Sequence, residues 1–338
     1  MVICRSMRIA MLGNWINIHD LTGFVHALLR RDRERLRLYW PQSSRDRTQA
    51  NWRHVESPPT NWWSIPDVKR RWNLLVSGDA EKDPPAHIAA TYLSGRTNLT
   101  ALSLACGTGT RELRWAEEGC FSRIDAIDMS APRIEHARNT ARARQLDRIA
   151  NFQVGDVWQI QGQGQYDVVL AEQSLHHLAP IPRILSIIDR CLCPGGLLVV
   201  NEYIGPDRFQ WTKEQMHRTT ALLSLLPEEY RRLWNSNRVK RRIHRPSKLF
   251  MLSSDPTEAA HSSDIPACLD AMFTRLEWKP IGGTVLQLLF TGIAHNFLQA
   301  DENSRRWLQI CFAAEDAWLA CGELSSDFVV AVYRKRES

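Results

Sequence analysis

The sequence is organised around one stretch, Thr100-Ala101-Leu102-Ser103-Leu104-Ala105-Cys106-Gly107-Thr108-Gly109-Thr110. Its apolar first half predicts a short buried strand, and its two glycines predict a tight turn. The next residues, 111–119, predict a helix that ends at a glycine. A turn without Cβ atoms lets a ligand approach the bare backbone, and the start of a helix presents free N–H groups to a negative group. The stretch therefore predicts a ligand-binding unit of strand, turn and helix.

A dinucleotide site is the first alternative for this glycine turn. That fingerprint requires Gly or Ala three residues after Gly109, where this chain has Glu112. Residues 104–109 instead resemble motif I of the class I S-adenosylmethionine (SAM) methyltransferases. Two positions depart from that motif, because Ser103 stands where the family usually has Asp or Glu and Ala105 replaces the first Gly. We expect the first change to remove an acidic contact to the methionine amine of SAM, and the second to be mild.

Four later stretches resemble further signatures of the same family, and they occur in the family's order. The first is 123–130, a predicted strand that ends with Asp128-Met129-Ser130, and the second is 151–157, which contains a Gly-Asp pair. The third is 166–178, a predicted strand followed by a His-His pair, and the fourth is 193–200, which contains a Pro-Gly-Gly turn. The resemblance covers roughly residues 86–205. It implies a seven-stranded, mostly parallel, doubly wound α/β sheet with strand order 3-2-1-4-5-7-6 and an antiparallel seventh strand.

The resemblance also implies SAM as the cofactor and S-adenosyl-L-homocysteine as its product. The cofactor-binding residues that it implies are Ser103, Ala105, Cys106, Gly107, Gly109, Asp128, Met129, Asp156, Val157 and Glu172. Asp128 lies nineteen residues after Gly109, close to the spacing at which an acid reaches ribose hydroxyls. Asp156 is expected at the adenine amino group, and Glu172 beside the methionine part.

Catalytic candidates follow strands four and five. Because histidine titrates near neutral pH, His177 or His176 is a candidate to take a proton from the methyl acceptor. Glu202 and Tyr203 are candidates after strand five. In the alternative interpretation, the His pair packs or caps a helix start, as it often does in the family. Residues 171–174 read Ala-Glu-Gln-Ser and lack the Asn/Asp-Pro-Pro-Tyr tetrad of amino-methyltransferases, so we do not expect methylation of nucleobase amino groups by that chemistry.

The composition predicts a cytoplasmic globular protein. No run of eighteen apolar residues is present, so no membrane span is expected, and the first residues do not follow a secretory signal pattern. The eight cysteines are scattered without metal-ligand spacing, which favours reduced thiols and no metal site. The net charge of +6 is uneven, since residues 1–72 hold 13 Lys and Arg against 6 Asp and Glu.

The chain divides into five predicted regions. They are a basic, Trp/Arg-rich extension over residues 1–60, with an amphipathic helix near 24–35; a helical lid over 61–95; a SAM-binding core over 96–206; a helical cap insertion over 207–270; and the last part of the sheet, with two helices, over 271–338. The lid includes a predicted helix over 62–78, with Ser64 as its N-cap. A lid over the cofactor is favoured for this helix, and nucleic-acid binding through its Trp and Arg residues is the alternative.

The predicted function is SAM-dependent methyl transfer to oxygen or carbon of a small or lipid-linked metabolite. Residues 231–248 hold eight Lys and Arg and no acid, and this stretch either recruits an anionic acceptor or forms a solvated surface. One alternative is an RNA methyltransferase that uses the basic regions, although nucleic acid is the less favoured partner. Another is an inactive SAM-binding partner or sensor protein, which the departure at Ser103 keeps open.

Overall fold

The computed structural model describes residues 58–299 and 301–337, together with Trp15, Ser43, Arg47, Thr48, Trp52 and Val55. The amphipathic helix predicted near residues 24–35 lies outside the described residues. Within the described residues, no helix combines the length and apolar character that a membrane crossing requires.

Seven strands form one sheet. They are β1 (Leu99–Leu104), β2 (Phe121–Asp128), β3 (Ala150–Val154), β4 (Tyr166–Glu172), β5 (Leu192–Tyr203), β6 (Phe273–Gly282) and β7 (Phe328–Lys335). Their order is β3-β2-β1-β4-β5-β7-β6, and β7 is antiparallel to both of its neighbours. The predicted sheet and its strand order are therefore confirmed.

Helices cover both faces of the sheet. They are α1 (Pro66–Ser77), α2 (Pro84–Tyr92), α3 (Thr110–Ala116), α4 (Ala131–Ala143), α5 (Ile181–Cys191), α6 (Lys213–Leu225), α7 (Lys248–Ser254), α8 (Ile265–Met272), α9 (Leu286–Phe290) and α10 (Glu302–Ala320). Because side chains alternate along a strand, β1 sends Ala101 into one core and Leu102 and Leu104 into the core on the other face. Strand β1 is thus buried on both sides and holds the glycine turn rigidly at its end.

Helix α1 lies against β6. It begins one residue later than a Ser64 cap would require, since residues Trp62–Ser64 form a short 3₁₀ turn and Ile65 precedes Pro66 without a side-chain cap. The ring of Trp62 is fully buried and lies 5.1 Å from the ring of Phe328 on β7. This packing fixes α1 over the outer part of the sheet.

The predicted cap insertion contains α6, α7 and the start of α8, which irregular segments separate. Helix α6 begins with a reciprocal capping box between Thr212 and Gln215. The basic stretch within the cap has a structural role at one position, because the Nζ of Lys240 donates to the carbonyls of Leu288 at 2.7 Å and of Thr291 at 2.7 Å. This lysine ties the cap to the region around α9.

Candidate functional site

A cavity of about 770 Å³, partly open to solvent, lies at the carboxyl ends of β1 to β4. This is the edge at which doubly wound sheets bind ligands. Its lining residues are Thr48, Trp52, Ala105, Asp128, Met129, Arg133, Gly155, Asp156, Val157, Trp158, Gln173, His177, Leu178 and Thr257. Five of the ten predicted cofactor-binding residues lie in this wall: Ala105, Asp128, Met129, Asp156 and Val157.

Three residues in the turn after β1 have a left-handed backbone conformation. Ala105, Gly107 and Gly109 have φ angles of +51°, +58° and +75°. A Cβ on Gly109 would lie 2.6 Å from the ring of Phe152 and 2.8 Å from the Cβ of Ala137, so this position requires glycine for packing. The turn is thereby pressed against β3 and α4, and only Ala105 of these three residues lies in the cavity wall.

Asp128 ends β2 and organises the turn from the side. Its Oδ2 accepts the N–H of Gly107 at 2.9 Å, and its Oδ1 accepts the N–H of Ser130 at 2.8 Å. Each carboxylate oxygen has a second lone pair, so the group can hold the turn and still accept hydrogen bonds from a ligand in the cavity. This arrangement agrees with the ribose-binding role that the resemblance implies for Asp128.

Residues at the end of β3 form the wall next to Asp128. The side chain of Asp156 accepts the N–H of Trp158 at 3.0 Å and starts a 3₁₀ turn. Val157, Trp158 and Met129 give this wall an apolar surface beside two carboxylates. A set of apolar groups and carboxylates fits an adenosine group, whose base is flat and apolar and whose hydroxyl and amino groups are donors. The cavity therefore fits SAM, for which Asp128 and Asp156 would be the main polar contacts.

Ser103, one of the predicted cofactor-binding residues, lies behind the turn that follows β1. Ser103 is buried on β1, and its Oγ donates to Oε1 of Glu112 on α3 at 2.6 Å. The carboxylate that residue 103 lacks is therefore supplied within the core by Glu112, nine residues later. Burial raises the pKa of Glu112 to about 7, with partial opposition from the Ser103 hydrogen bond. Oε2 of Glu112 has no hydrogen-bond partner among the described residues.

Glu172 at the end of β4 turns toward α3. Its Oε1 accepts a hydrogen bond from the indole N–H of Trp115, and its Oε2 lies 3.9 Å from Nε of Arg111. The next residue, Gln173, lies in the cavity wall instead, with a left-handed φ of +55°. Ser103, Cys106, Gly107, Gly109 and Glu172 are thus near the turn or behind it, outside the cavity lining.

The His pair follows β4 on a short 3₁₀ turn. His177 lies in the cavity wall, whereas His176 is behind it, and the two ring centroids are 4.2 Å apart. The Nδ1 of His176 is 2.6 Å from Oε2 of Glu202 on β5. Glu202 is fully buried, and its Oε1 accepts the backbone N–H groups of Ser174 and Leu175. These contacts fix the orientation of His176 through Glu202.

The two histidines experience opposite electrostatic environments. Burial lowers the pKa of His176, but the carboxylates of Glu202 and then Glu258 outweigh burial and leave the pKa above its ordinary value. Burial lowers the pKa of His177 below its ordinary value, although the nearby Glu258 opposes the shift. The imidazole at the cavity therefore has the lower pKa of the pair.

Residues far apart in sequence close the cavity. Asp255, just after α7, accepts hydrogen bonds from Oγ1 of Thr48 at 2.9 Å and from Nε1 of Trp52 at 2.7 Å. The guanidinium of Arg133 lies 4.5 Å from the centroid of the Trp52 ring, which also meets the ring of His177 edge-on at 5.3 Å. No residue from 61–95 lies among the described residues that line the cavity. The cover in this structure comes from Thr48, Trp52 and the cap residue Thr257.

Several residues at or beside the cavity are not among the predicted site residues. Trp52, Arg133 and Gln173 line the cavity, and Asp255 and Glu258 contact residues at its wall. The abundance of Trp in the first 72 residues could have pointed to Trp52. The position of Gln173, directly after strand four, could have pointed to that residue. Residues 255–258 belong to no recognisable motif.

Comparisons with known proteins identify the same unit. Residues 102–198 match the family model described as "Methyltransferase domain". The chain is 27% identical over 157 residues to a sterol 24-C-methyltransferase of Debaryomyces hansenii, which covers 44% of this chain and 40% of the relative. It is 28% identical over 144 residues to a demethylmenaquinone methyltransferase of Leptospira interrogans, which covers 42% of this chain and 57% of the relative.

A solved phosphoethanolamine N-methyltransferase 2 of Haemonchus contortus, in complex with SAM, is 14% identical. It aligns with a TM-score of 0.47 over 88% of this chain and 61% of its own. The chain matches less than 60% of the length of the two curated relatives named above. The matched segment contains the glycine turn, Asp128, Asp156 and the His pair. Residues 102–198 are therefore identified as a methyltransferase domain, and the chain is similar to SAM-dependent methyltransferases.

Proposed function

We propose that the chain transfers a methyl group from SAM to an oxygen or carbon of a small or lipid-linked metabolite. When bound, SAM supplies a methyl group on a positively charged sulfur. Asp128, Asp156 and Gln173 would hold the cofactor from three strand ends, and Trp52 would cover it. Fixing the reacting groups in one orientation can contribute roughly 7–11 kcal/mol to catalysis.

The observation that carries this proposal is the placement of His177 in the cavity wall. Its ring lies between the end of β4 and the cap, with Nδ1 3.2 Å from Oγ1 of Thr257 and Trp52 against its edge. An acceptor that enters the cavity beside the cofactor meets this imidazole. We assign to His177 the activation of the acceptor atom, and to His176 and Glu202 the positioning of the loop that carries it.

The class of acceptor is supported by two observations. The two curated relatives are named for a sterol and for demethylmenaquinone, and Met129, Val157 and Leu178 give the cavity an apolar lining. An anionic acceptor remains a proposal that rests on the basic stretch over residues 231–248. Lys240 in that stretch donates to backbone carbonyls, which favours a small acceptor over RNA.

Calorimetric titration with SAM and with S-adenosylhomocysteine tests cofactor binding. We expect saturable binding to the wild-type chain, strong weakening in Asp128→Ala, and wild-type affinity in Asp147→Ala, which removes an exposed carboxylate near β3. Circular dichroism spectra establish that each variant is folded. A folded wild-type chain that binds neither ligand contradicts the proposal.

Transfer of radiolabelled methyl from SAM to fractions of a cell extract tests the reaction. We expect label in a low-molecular-weight or lipid fraction. Once an acceptor is isolated, His177→Ala should lower kcat roughly a hundred- to ten-thousand-fold, the range for loss of a group that activates the acceptor. SAM affinity should be nearly unchanged. Label in RNA alone, or no transfer by a chain that binds SAM, contradicts the proposed acceptor class or the activity.

A further inference from the structure

A cluster of two imidazoles and one carboxylate borders the cavity. The Nε2 of His176 lies 3.7 Å from Oε1 of Glu258, and the Nε2 of His177 lies 3.7 Å from Oε2 of the same carboxylate. One ligand atom from each of the three side chains lies within 4.8 Å of the other two. These distances are too long for hydrogen bonds, so the atoms face one another without direct contact.

The outer nitrogens of both rings are held by other groups. Nδ1 of His176 bonds Glu202, and Nδ1 of His177 bonds Oγ1 of Thr257. The Thr257 hydroxyl donates its proton to Oδ1 of Asp255 at 2.7 Å, so it receives the hydrogen bond from His177. In their neutral forms both rings then carry the proton on Nδ1, which leaves each Nε2 atom, 3.7 Å from Glu258, available as a ligand. Three electron-rich atoms thus face one point, an arrangement that a cation stabilises.

We propose that His176, His177 and Glu258 bind a divalent transition-metal cation. Zinc–nitrogen and zinc–oxygen bonds of roughly 2.0–2.2 Å place neighbouring ligand atoms roughly 3–3.5 Å apart, so small side-chain movements close the observed gaps. Two histidines and one carboxylate form a common set for catalytic Zn²⁺ and for Fe²⁺, whereas Mg²⁺ and Ca²⁺ prefer oxygen ligands. The hydrogen bonds that the outer nitrogens donate to Glu202 and Thr257 are the support that metal-bound histidines usually have.

The proposed binding of a cation does not depend on the proposed function, but the role of that cation in catalysis does. Three protein ligands leave a coordination position open, and His177 places this position at the cavity. An acceptor hydroxyl bound there would have a lowered pKa. Its O–H bond would break with the electron pair kept by oxygen, and the proton would pass to water. The acceptor would then be an oxygen nucleophile held by the metal, which narrows the proposed reaction to methylation at oxygen.

Binding is tested on the full chain after removal of metal with a chelator. Titration with Zn²⁺ by calorimetry, and with Co²⁺ by absorption, should show one equivalent bound per chain. Co²⁺ reports the ligands, because cysteine thiolates add an intense charge-transfer band that imidazole and carboxylate ligands lack. Glu258→Gln and His176→Gln should abolish stoichiometric binding, and Thr257→Val should weaken it about 10–100-fold.

The control is His261→Gln, which removes an exposed histidine three residues after Glu258 and should leave binding unchanged. SAM titration of every variant shows that the cofactor site is folded. Absence of Zn²⁺ and Co²⁺ binding, binding that survives in Glu258→Gln and His176→Gln, or a thiolate spectrum overturns the inference. A chain that binds SAM without metal contradicts only the metal site. A chain that binds metal without SAM contradicts only the proposed function.

Discussion

Ala105 has a backbone conformation that costs energy for any residue with a Cβ. Its φ of +51° lies in the left-handed region, at a position where the resembled motif has glycine. By size alone this replacement is expected to be mild, since alanine is small. Size is not the relevant property here, because a left-handed alanine is disfavoured by roughly 1–2 kcal/mol. Backbone strain of this kind collects at functional sites, and Gln173 in the same wall is a second example.

Ala105→Gly should therefore stabilise the protein. The variant loses the left-handed penalty but increases the freedom of the unfolded chain, so we expect a net gain of about 0.5–1 kcal/mol. Urea denaturation measures it. The control is Ala313→Gly at an exposed position inside α10, where glycine should cost about 1 kcal/mol. A loss of stability in Ala105→Gly would contradict the explanation by strain.

The buried carboxyl of Glu112 makes stability depend on pH. Its pKa is raised by burial from 4.5 to about 7, so the folded state binds this proton more tightly than the unfolded state does. The contribution of this group is most favourable below pH 4.5, decreases as the pH rises, and is lost above about pH 7, with a total change of about 3 kcal/mol.

Glu112→Gln should be more stable than the wild type at pH 8, with a difference that shrinks toward pH 5. Glutamine keeps the acceptor for Ser103 and removes the charge. Thermal unfolding of both proteins across this pH range gives the comparison. Glu135→Gln, an exposed position on α4, should show no such trend. A constant difference at all pH values would mean that Glu112 does not titrate in this range.

At the scale of the element, the cover of the cavity differs from the expected one. The periodicity of residues 62–78 correctly indicated a helix, but α1 packs on β6, because Trp62 enters the core beside Phe328. The cover includes Trp52, which is joined to Asp255 across 203 residues of sequence. Local sequence patterns cannot reveal such a pair, because nothing in the sequence around either residue indicates the other as its partner.

Trp52→Phe should weaken SAM binding. Phenylalanine keeps an aromatic ring beside Arg133 but loses the Nε1 hydrogen bond to Asp255, an interaction with a charged group worth about 1.5–3 kcal/mol. Without this hydrogen bond, closure of Trp52 over the cofactor would be less favourable. We expect the Kd for SAM to rise about three- to tenfold, because only part of the hydrogen-bond energy is coupled to ligand binding. Trp63→Phe, at an exposed tryptophan, is the control and should bind normally. Equal affinity in both variants would mean that Trp52 does not close over the ligand.

At the scale of the whole molecule, the sequence predicts the sheet better than the site. Buried strands and family-like turns suffice for the strand order, because each strand signal is local. The same signals locate Asp128 and Asp156 at the cavity. They do not show that Glu172 turns to Trp115, nor that Glu258 reaches the His pair from the cap. These contacts depend on side-chain direction and on the path of an irregular insertion, which no periodic pattern encodes.

The cap is attached to the sheet by a polar contact that can be removed. Nε2 of Gln215 on α6 donates to Oγ1 of Thr284 at 2.7 Å and to Oδ2 of Asp327 at 3.0 Å, and all three side chains are buried. Gln215→Ala should destabilise the fold by about 1–3 kcal/mol, because it leaves buried polar atoms unpaired. Urea denaturation measures the loss. Glu214→Ala at the exposed neighbouring position should cost about 0.5 kcal/mol or less. Similar losses in both variants would show that the contact does not fasten the cap.

The hydrogen bond between Trp52 and Asp255 also has a consequence for the synthesis of the protein on the ribosome. Trp52 is synthesised 203 residues before its partner. At about 5–20 residues per second, Trp52 is synthesised roughly 10–40 s before Asp255, the residue that accepts its hydrogen bond. During this interval its neighbours are the nascent chain and the chaperones around the exit tunnel. The ligand cavity consequently acquires its cover late in translation, after the sheet strands from β1 to β5 have been made.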